Sequence, residues 1–350
     1  MSAARTAKTA LAGALGALGV TGAVLAARRH APVILRYHRI HPDGVEPAYE
    51  LGITRPVFEA QLDYLSREGS VVSLADVCAG LFDGRPLPDR AVALTFDDGY
   101  RDNYTQAFPA LRARGLPATV FVTGGHLDSG RRFWWDELAG AAFAAAPGEH
   151  TLDLGRGPEP VRLDGGHSRR RLVDRVCARA KALPDAEARA WLADLGAALG
   201  GAPDEERSVL SWREAQEMAA AGIEIGSHTL DHPVLSRLEL VEVERQVVAS
   251  RRLIEERLGK PVRFFAYPNG TREDFTPEVE RAVRQAGYQA ALTTIEGRPG
   301  PFSDPFKLER VAVSAGMCTD GDGLFCEALF ASEISGMMGA LLLRGRRRAH

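Results

Sequence analysis

Cysteine is scarce in this 350-residue chain. Cys78, Cys177, Cys318 and Cys326 show no C-x-x-C spacing, which excludes a disulfide framework and a cysteine zinc site. At most, Cys318 and Cys326 lie close enough in sequence to pair in an oxidising compartment. A basic surplus is missing too. With a formal net charge of −3, nucleic acid is not expected as a partner, because that requires a concentrated basic face. Lysine is nearly absent, since Lys8, Lys181, Lys260 and Lys307 are all there are, and the positive charge is therefore almost all arginine. That imbalance matches the codon bias of a GC-rich genome and carries no functional content. Charge of either sign is absent from Thr9 to Ala27, which follows Arg5 and Lys8 in the layout of a signal peptide or short membrane anchor. The stretch is mostly Ala and Gly, Leu25-Ala26-Ala27 only roughly supplies a cleavage site, and Arg28 and Arg29 leave its orientation open. A disordered Ala-rich leader is the alternative.

What is present is enough apolar material, 45% of residues, for one large domain. From residue 32 onward, short apolar runs alternate with amphipathic stretches, the βαβα pattern of a parallel α/β fold. Strands are expected at Pro32–Tyr37, Ala91–Phe96, Ala118–Val122, Ile223–Gly226, Arg263–Ala266, Gln289–Leu292 and Leu308–Val313. Seven such strands with intervening helices imply a closed, irregular (β/α) barrel. Glu239 to Leu258 carries Val243, Val247, Ile254 and Leu258 at helical spacing, with Gly259-Lys260-Pro261 as the stop. Thr276-Pro277 opens a second helix that Gly287 terminates. Arg131 to Trp212 interrupts the rhythm as an Ala-rich, helical insertion containing a loop-like stretch from Gly155 to Gly166. The expected layout is a signal-like segment or anchor at 1–30, a catalytic domain at 31–315 with insertion 131–212, and an amphipathic basic tail at 316–350.

Two motifs carry chemistry. Thr95-Phe96-Asp97-Asp98-Gly99-Tyr100 places adjacent carboxylates directly after an apolar strand, where parallel barrels build their active sites. Taken alone, Asp-Gly could simply turn the chain. Ser227-His228-Thr229-Leu230-Asp231-His232 places two imidazoles four residues apart after another strand. Joined to Asp98, they form a two-His, one-carboxylate set with open positions, as a catalytic metal requires. One carboxylate suffices as a ligand, leaving the other to handle protons.

Both motifs resemble those of the polysaccharide deacetylase family, also called the NodB-homology or carbohydrate esterase family 4, over roughly Pro32 to Val313. The resemblance implies a distorted (β/α) barrel, one divalent metal, zinc by preference, held by Asp98, His228 and His232, and Asp97 as general base toward the attacking water. Ala266-Tyr267-Pro268 resembles a further family element but lacks the arginine often found just before it, and backbone N–H groups near Tyr267 are the expected oxyanion donors. Arg310, in Leu308-Glu309-Arg310-Val311, could orient Asp97 instead or could lie on the surface. Where many members carry a late Leu-x-His, this chain reads Leu292-Thr293-Thr294, so the acid that protonates the leaving amine must be another group or water. His38, at the end of the first strand, is one candidate and His126 the other.

The expected activity is hydrolysis of N-acetyl groups on amino sugars of a cell-envelope polysaccharide, an exopolysaccharide or a glycan precursor. Two alternatives stay open: another metal-dependent hydrolase of non-peptide C–N bonds, and a silent sugar-binding module. Phe133-Trp134-Trp135 could form a sugar-stacking wall or pack a core. The apolar Gly336–Leu343 followed by Arg344–Arg348, together with the N-terminal stretch, implies association with a membrane.

Overall fold

The structure, a computed structural model, describes residues 3–45, 51–201 and 207–337. Seven parallel strands close into a ring in sequence order: β1 (Val33–Tyr37), β2 (Ala91–Phe96), β3 (Thr119–Val122), β4 (Glu224–Ser227), β5 (Phe264–Ala266), β6 (Ala290–Glu296) and β7 (Leu308–Ala312). Closure comes from β1, which pairs with β2 along Val33↔Val92 to Tyr37↔Phe96 and with β7 at Leu35↔Val311 and Arg36↔Ala312. The strands fall where the alternation predicts, but β6 runs on to Glu296. Its β-branched Thr293, Thr294 and Ile295 keep the chain extended through a shift of register against β7.

Side-chain alternation sorts each strand into two layers. Inward positions Ile34, Ala93, Phe121, Phe264, Ala266, Ala290, Leu292 and Leu308 fill the lumen. Outward positions Leu35, Leu94, Val120, Ile225, Phe265 and Val311 pack with Phe58, Leu62, Leu111, Met218, Val247 and Val283 of the surrounding helices. Phe121 is one of two inward phenylalanines, and its register partner is Gly226. A Cβ on Gly226 would stand 2.5 Å from the Phe121 ring, so glycine is what lets that ring lie across the lumen. The helices Leu240–Leu258 and Pro277–Gln285 end as their caps dictate, with Gly259 left-handed at φ 63° and the Thr276 hydroxyl accepting from the Val279 N–H.

The 131–212 segment carries helices Trp134–Ala144, Gly166–Ala180 and Asp185–Ala198, with an apolar cluster of their own around Leu138, Leu152, Leu172 and Val176. One expectation needs correcting. The stretch read as loop-like, Gly155 to Gly166, contains the second strand of an antiparallel hairpin, Gly148–Asp153 with Pro158–Leu163. Pro158 and Pro160 masked it, since proline is tolerated only at strand starts and edges. The Asp153 carboxylate accepts the N–H groups of Gly155 and Gly157 and closes the turn.

The uncharged N-terminal stretch forms helices Ala3–Ala17 and Val20–Ala27, broken at left-handed Gly19. No single described helix is long and apolar enough to cross a membrane; this pair reaches that length and composition only together, across a 73° bend. Lys8 pairs with Glu333, and Arg28 donates to the Ser335 carbonyl at 2.8 Å, tying the pair to the helix Glu327–Ile334. Most of the basic tail, residues 338–350, lies outside the described residues. All four cysteines are free, although the Cys326 N–H donates to the Cys318 carbonyl at 2.8 Å.

Replacing Phe121 by Ala should cost about 3–5 kcal/mol by denaturant unfolding, the usual range for emptying an aromatic site. Gly226→Ala should then be better tolerated in that background than alone, because the ring it collides with is gone.

Candidate active site

The two motifs end β2 and β4, with only β3 between them in the ring. Asp97 continues the inward series Ala93, Thr95 and points into the lumen, where the Arg310 guanidinium meets it. Nη1 and Nη2 donate to the two carboxylate oxygens at 2.7 Å each, while Nε donates to the Thr293 carbonyl at 2.7 Å. Nη1 also reaches Thr95 Oγ1 at 3.2 Å. Arg310 is fully buried and lies over the Phe121 ring. Of the two places the sequence left open for it, the structure selects the one against Asp97.

Asp98 would face outward if the strand continued. Its left-handed backbone, φ 74°, turns it back over the strand end. Gly99 follows at φ 72°, and a side chain there would also press on Val122. Asp98 Oδ1 lies 3.4 Å from His228 Nε2 and 3.3 Å from His232 Nε2. His228 Nδ1 stands 2.7 Å from the Ala266 carbonyl, which can only accept, so Nδ1 carries the proton and Nε2 offers a lone pair. His232, itself at φ 58°, is fixed by its N–H to Thr229 Oγ1 and by the Trp135 ring at 4.8 Å.

Among the described residues, Asp98, His228 and His232 are the group whose ligand atoms converge, all within 4.8 Å. A carboxylate and two imidazole nitrogens this close could share one cation. Burial works against a protonated His232, lowering its pKa despite Asp98. The donor chemistry fits a divalent transition metal.

The electrostatics keep both aspartates ionised. Burial pushes Asp97 upward, but Arg310 first and His228 next outweigh it and hold the group at about 2. Burial likewise opposes Asp98, but the flanking His228 and His232 hold it well below the carboxylate range.

These groups share a cleft of about 590 Å³ with Arg36, His38, Asn269 and, from the insertion, Trp134, Trp135, Asp174 and Lys181. His38 is held at about 4, chiefly by burial. His126 does not join it: its ring stacks on Phe133 at 4.6 Å and lines a neighbouring cavity of about 730 Å³ beyond Trp135 and His232. Phe133 is core, whereas half-buried Trp134 and Trp135 line the cleft.

Tyr267 departs from expectation. Its ring is fully buried against Phe275, its hydroxyl donates to the Phe306 carbonyl, and its N–H donates to the Leu292 carbonyl at 3.0 Å. That N–H is spent on sheet pairing and the side chain lies outside the cleft, whereas Asn269, two residues on, lines it. Sequence reasoning also passed over Arg36, although Ile34, Arg36 and His38 alternate on the inward face of β1.

The sequence pattern of the family described as Polysaccharide deacetylase matches residues 84–291, which span the barrel from before β2 to β6 and include both motifs. The chain belongs to the polysaccharide deacetylase family. This deacetylase is thus a hydrolase of the class acting on carbon–nitrogen bonds. It is 23% identical to the Bacillus subtilis (strain 168) protein YxkH over 297 residues, 85% of this chain and 76% of that one. A shorter stretch of 98 residues, 28% of this chain, is 32% identical to 14% of the poly-β-1,6-N-acetyl-D-glucosamine N-deacetylase of Escherichia coli (strain K12). The fold is shared with IcaB from Ammonifex degensii at TM-score 0.55 and 22% identity, covering 88% of this chain and 97% of that one.

Replacing Arg310 by Met should destabilise the deacetylase by about 3–5 kcal/mol, because it strands a buried carboxylate without a partner. Adding Asp97→Asn should restore much of that loss in urea unfolding. A single variant as stable as the parent would show that the pair is not what holds Asp97 in place.

Proposed function

We propose that the deacetylase removes N-acetyl groups from amino sugars of a cell-envelope polysaccharide, exopolysaccharide or glycan precursor, with one divalent cation, zinc by donor type, held by Asp98, His228 and His232. The observation that carries this reading is the pairing of an ionised, rigidly clamped Asp97 with a separate Asp/His/His donor set on one cleft floor. The partial identity to an enzyme named for poly-β-1,6-N-acetyl-D-glucosamine supports a glycan substrate.

A carboxylate held at about 2 is a weak base. Asp98, His228 and His232 would hold the cation, which when bound would supply the missing acidity to a water and polarise the amide carbonyl. Asp97 then accepts the water's proton in a fixed direction, since its bidentate clamp leaves it little freedom to rotate. So weak a base does not keep the proton, and passing it on toward the leaving nitrogen is downhill. His38 is the cleft's candidate for that relay. Held at about 4, it is neutral at pH 7 and can deliver a proton only after receiving one in the same cycle. Trp134 and Trp135 offer flat apolar faces to sugar rings beside His232.

Membrane association is part of the same proposal. Leu11, Leu18 and Val20 are exposed on the N-terminal helix pair, next to Arg5, Arg28 and Arg29, a composition suited to an interface.

Two measurements check this reading. On N-acetylated glycan oligomers with zinc, Asp97→Asn should lower turnover by at least about 100-fold while keeping metal, whereas His228→Ala and His232→Ala should lose the metal itself. Full metal occupancy in both histidine variants would overturn the ligand assignment. In cell fractionation the full-length chain should sediment with membranes, and removal of residues 1–29 should weaken this; recovery wholly in the soluble fraction at low salt would refute the membrane part.

A further inference from the structure

Arg36 is a charge on the cleft floor that the chemistry above does not use. It occupies the inward position of β1 between Ile34 and His38, with Thr95 and Ala312 as its register partners on either side. It therefore sits one residue pair deeper than Asp97, in the same cleft as Asp97, Asp98 and His228. Its Nε and Nη1 are buried and have no hydrogen-bond partner among the described residues. Of the anions nearby, Asp97 is held by Arg310 through both oxygens, Asp98 faces the two histidines and Glu296 Oε1 accepts the Ala312 N–H at 3.2 Å; they attract Arg36 across space, but none hydrogen-bonds its Nε or Nη1. Burial, and then repulsion by Arg310, lower the guanidinium to about 10, so it remains charged at neutral pH.

Unpaired buried donors are destabilising, and a fold keeps them where an acceptor arrives from outside. We infer that Arg36 is the receptor for the acetyl oxygens as they become acetate, a further catalytic residue of the deacetylation. The inference rests on the proposed deacetylation. In that reaction the water oxygen bonds to the acetyl carbon, the C–N bond breaks, the nitrogen takes up the water's protons and leaves as an ammonium, and the acetyl group leaves as acetate. Negative charge thus appears on the acyl oxygens only as the reaction proceeds. A cation placed there favours transition state and product over the neutral amide. A guanidinium also pairs its charge with N–H donors, which a developing acyl oxyanion accepts as charge-assisted hydrogen bonds.

The test uses the full-length zinc protein with acetate itself as probe, through [13C]acetate titration by NMR and product inhibition during turnover. Arg36→Gln should weaken acetate binding by about tenfold or more, and Arg36→Lys should retain part of it, since the charge survives without the fork. Turnover should fall about 10- to 100-fold in Arg36→Gln, with KM changed by less than about threefold, because the neutral substrate gains little from the cation. Metal content should be unchanged, and Tm should hold or rise, since an unpaired buried charge has been removed. A merely structural role predicts a lower Tm with unaltered acetate affinity, and that result would overturn the assignment. If the parent protein releases no acetate from N-acetylated glycans, the deacetylase reading fails; release with equal acetate affinity in parent and Arg36→Gln removes only the role of Arg36.

Discussion

The bidentate pair between Arg310 and Asp97 is the interaction on which the rest of the site depends. Both partners are out of water, so the pair survives only where desolvation is offset by full hydrogen bonding. The barrel supplies that. Arg310 also donates to the Thr293 carbonyl and to Thr95 Oγ1, so neighbouring strands on both sides of β7 and β1 contribute acceptors. Beneath it Phe121 and the aliphatic inward residues exclude water. Closure of the ring is therefore electrostatic as well as topological. Opening β1 from β7 or β2 would hydrate the guanidinium and release the carboxylate from its fixed direction.

Two adjacent aspartates come to serve different groups because the backbone inverts between them. Asp97 keeps the strand's alternation and faces the arginine, while Asp98, in the left-handed region, faces the histidines. Such a conformation is unfavourable for a residue with a side chain and persists only when its surroundings over-determine it. His232 and Thr229 are left-handed as well, at 58° and 66°. The Thr229 hydroxyl, accepting from the His232 N–H, is one of the contacts that hold this turn. These contacts bring the three donor groups onto one side of the strand ends.

Much of this was legible in sequence. Apolar runs ended by chemically loaded residues marked the strands and the two motifs, because in a parallel barrel the burial pattern and the site lie on one continuous segment. What distance in sequence conceals was not legible. Arg310 stands 213 positions from Asp97, and a charge between apolar neighbours reads equally as a snorkelling surface residue until closure is known. Tyr267 misled because its motif marks a strand end without saying whether its N–H is already taken by the sheet. The hairpin within the insertion hid behind its prolines, and Arg36 behind its more conspicuous neighbour His38.

The terminal helices meet the barrel at the end where the strands begin. Leu25, Arg28 and Ile334 share a small cavity with Val33, Gly69 and Val92, and the catalytic cleft opens at the other end. The two are separated by one strand, roughly 15–20 Å for five to six extended residues. Any surface on which those helices rest therefore lies behind the enzyme, and a polymer reaches the cleft from in front. With the helices on a surface, as proposed, the barrel would be a fixed spacer that sets a standoff height, and a chain hanging in the space beyond would meet the cleft more directly than one lying flat.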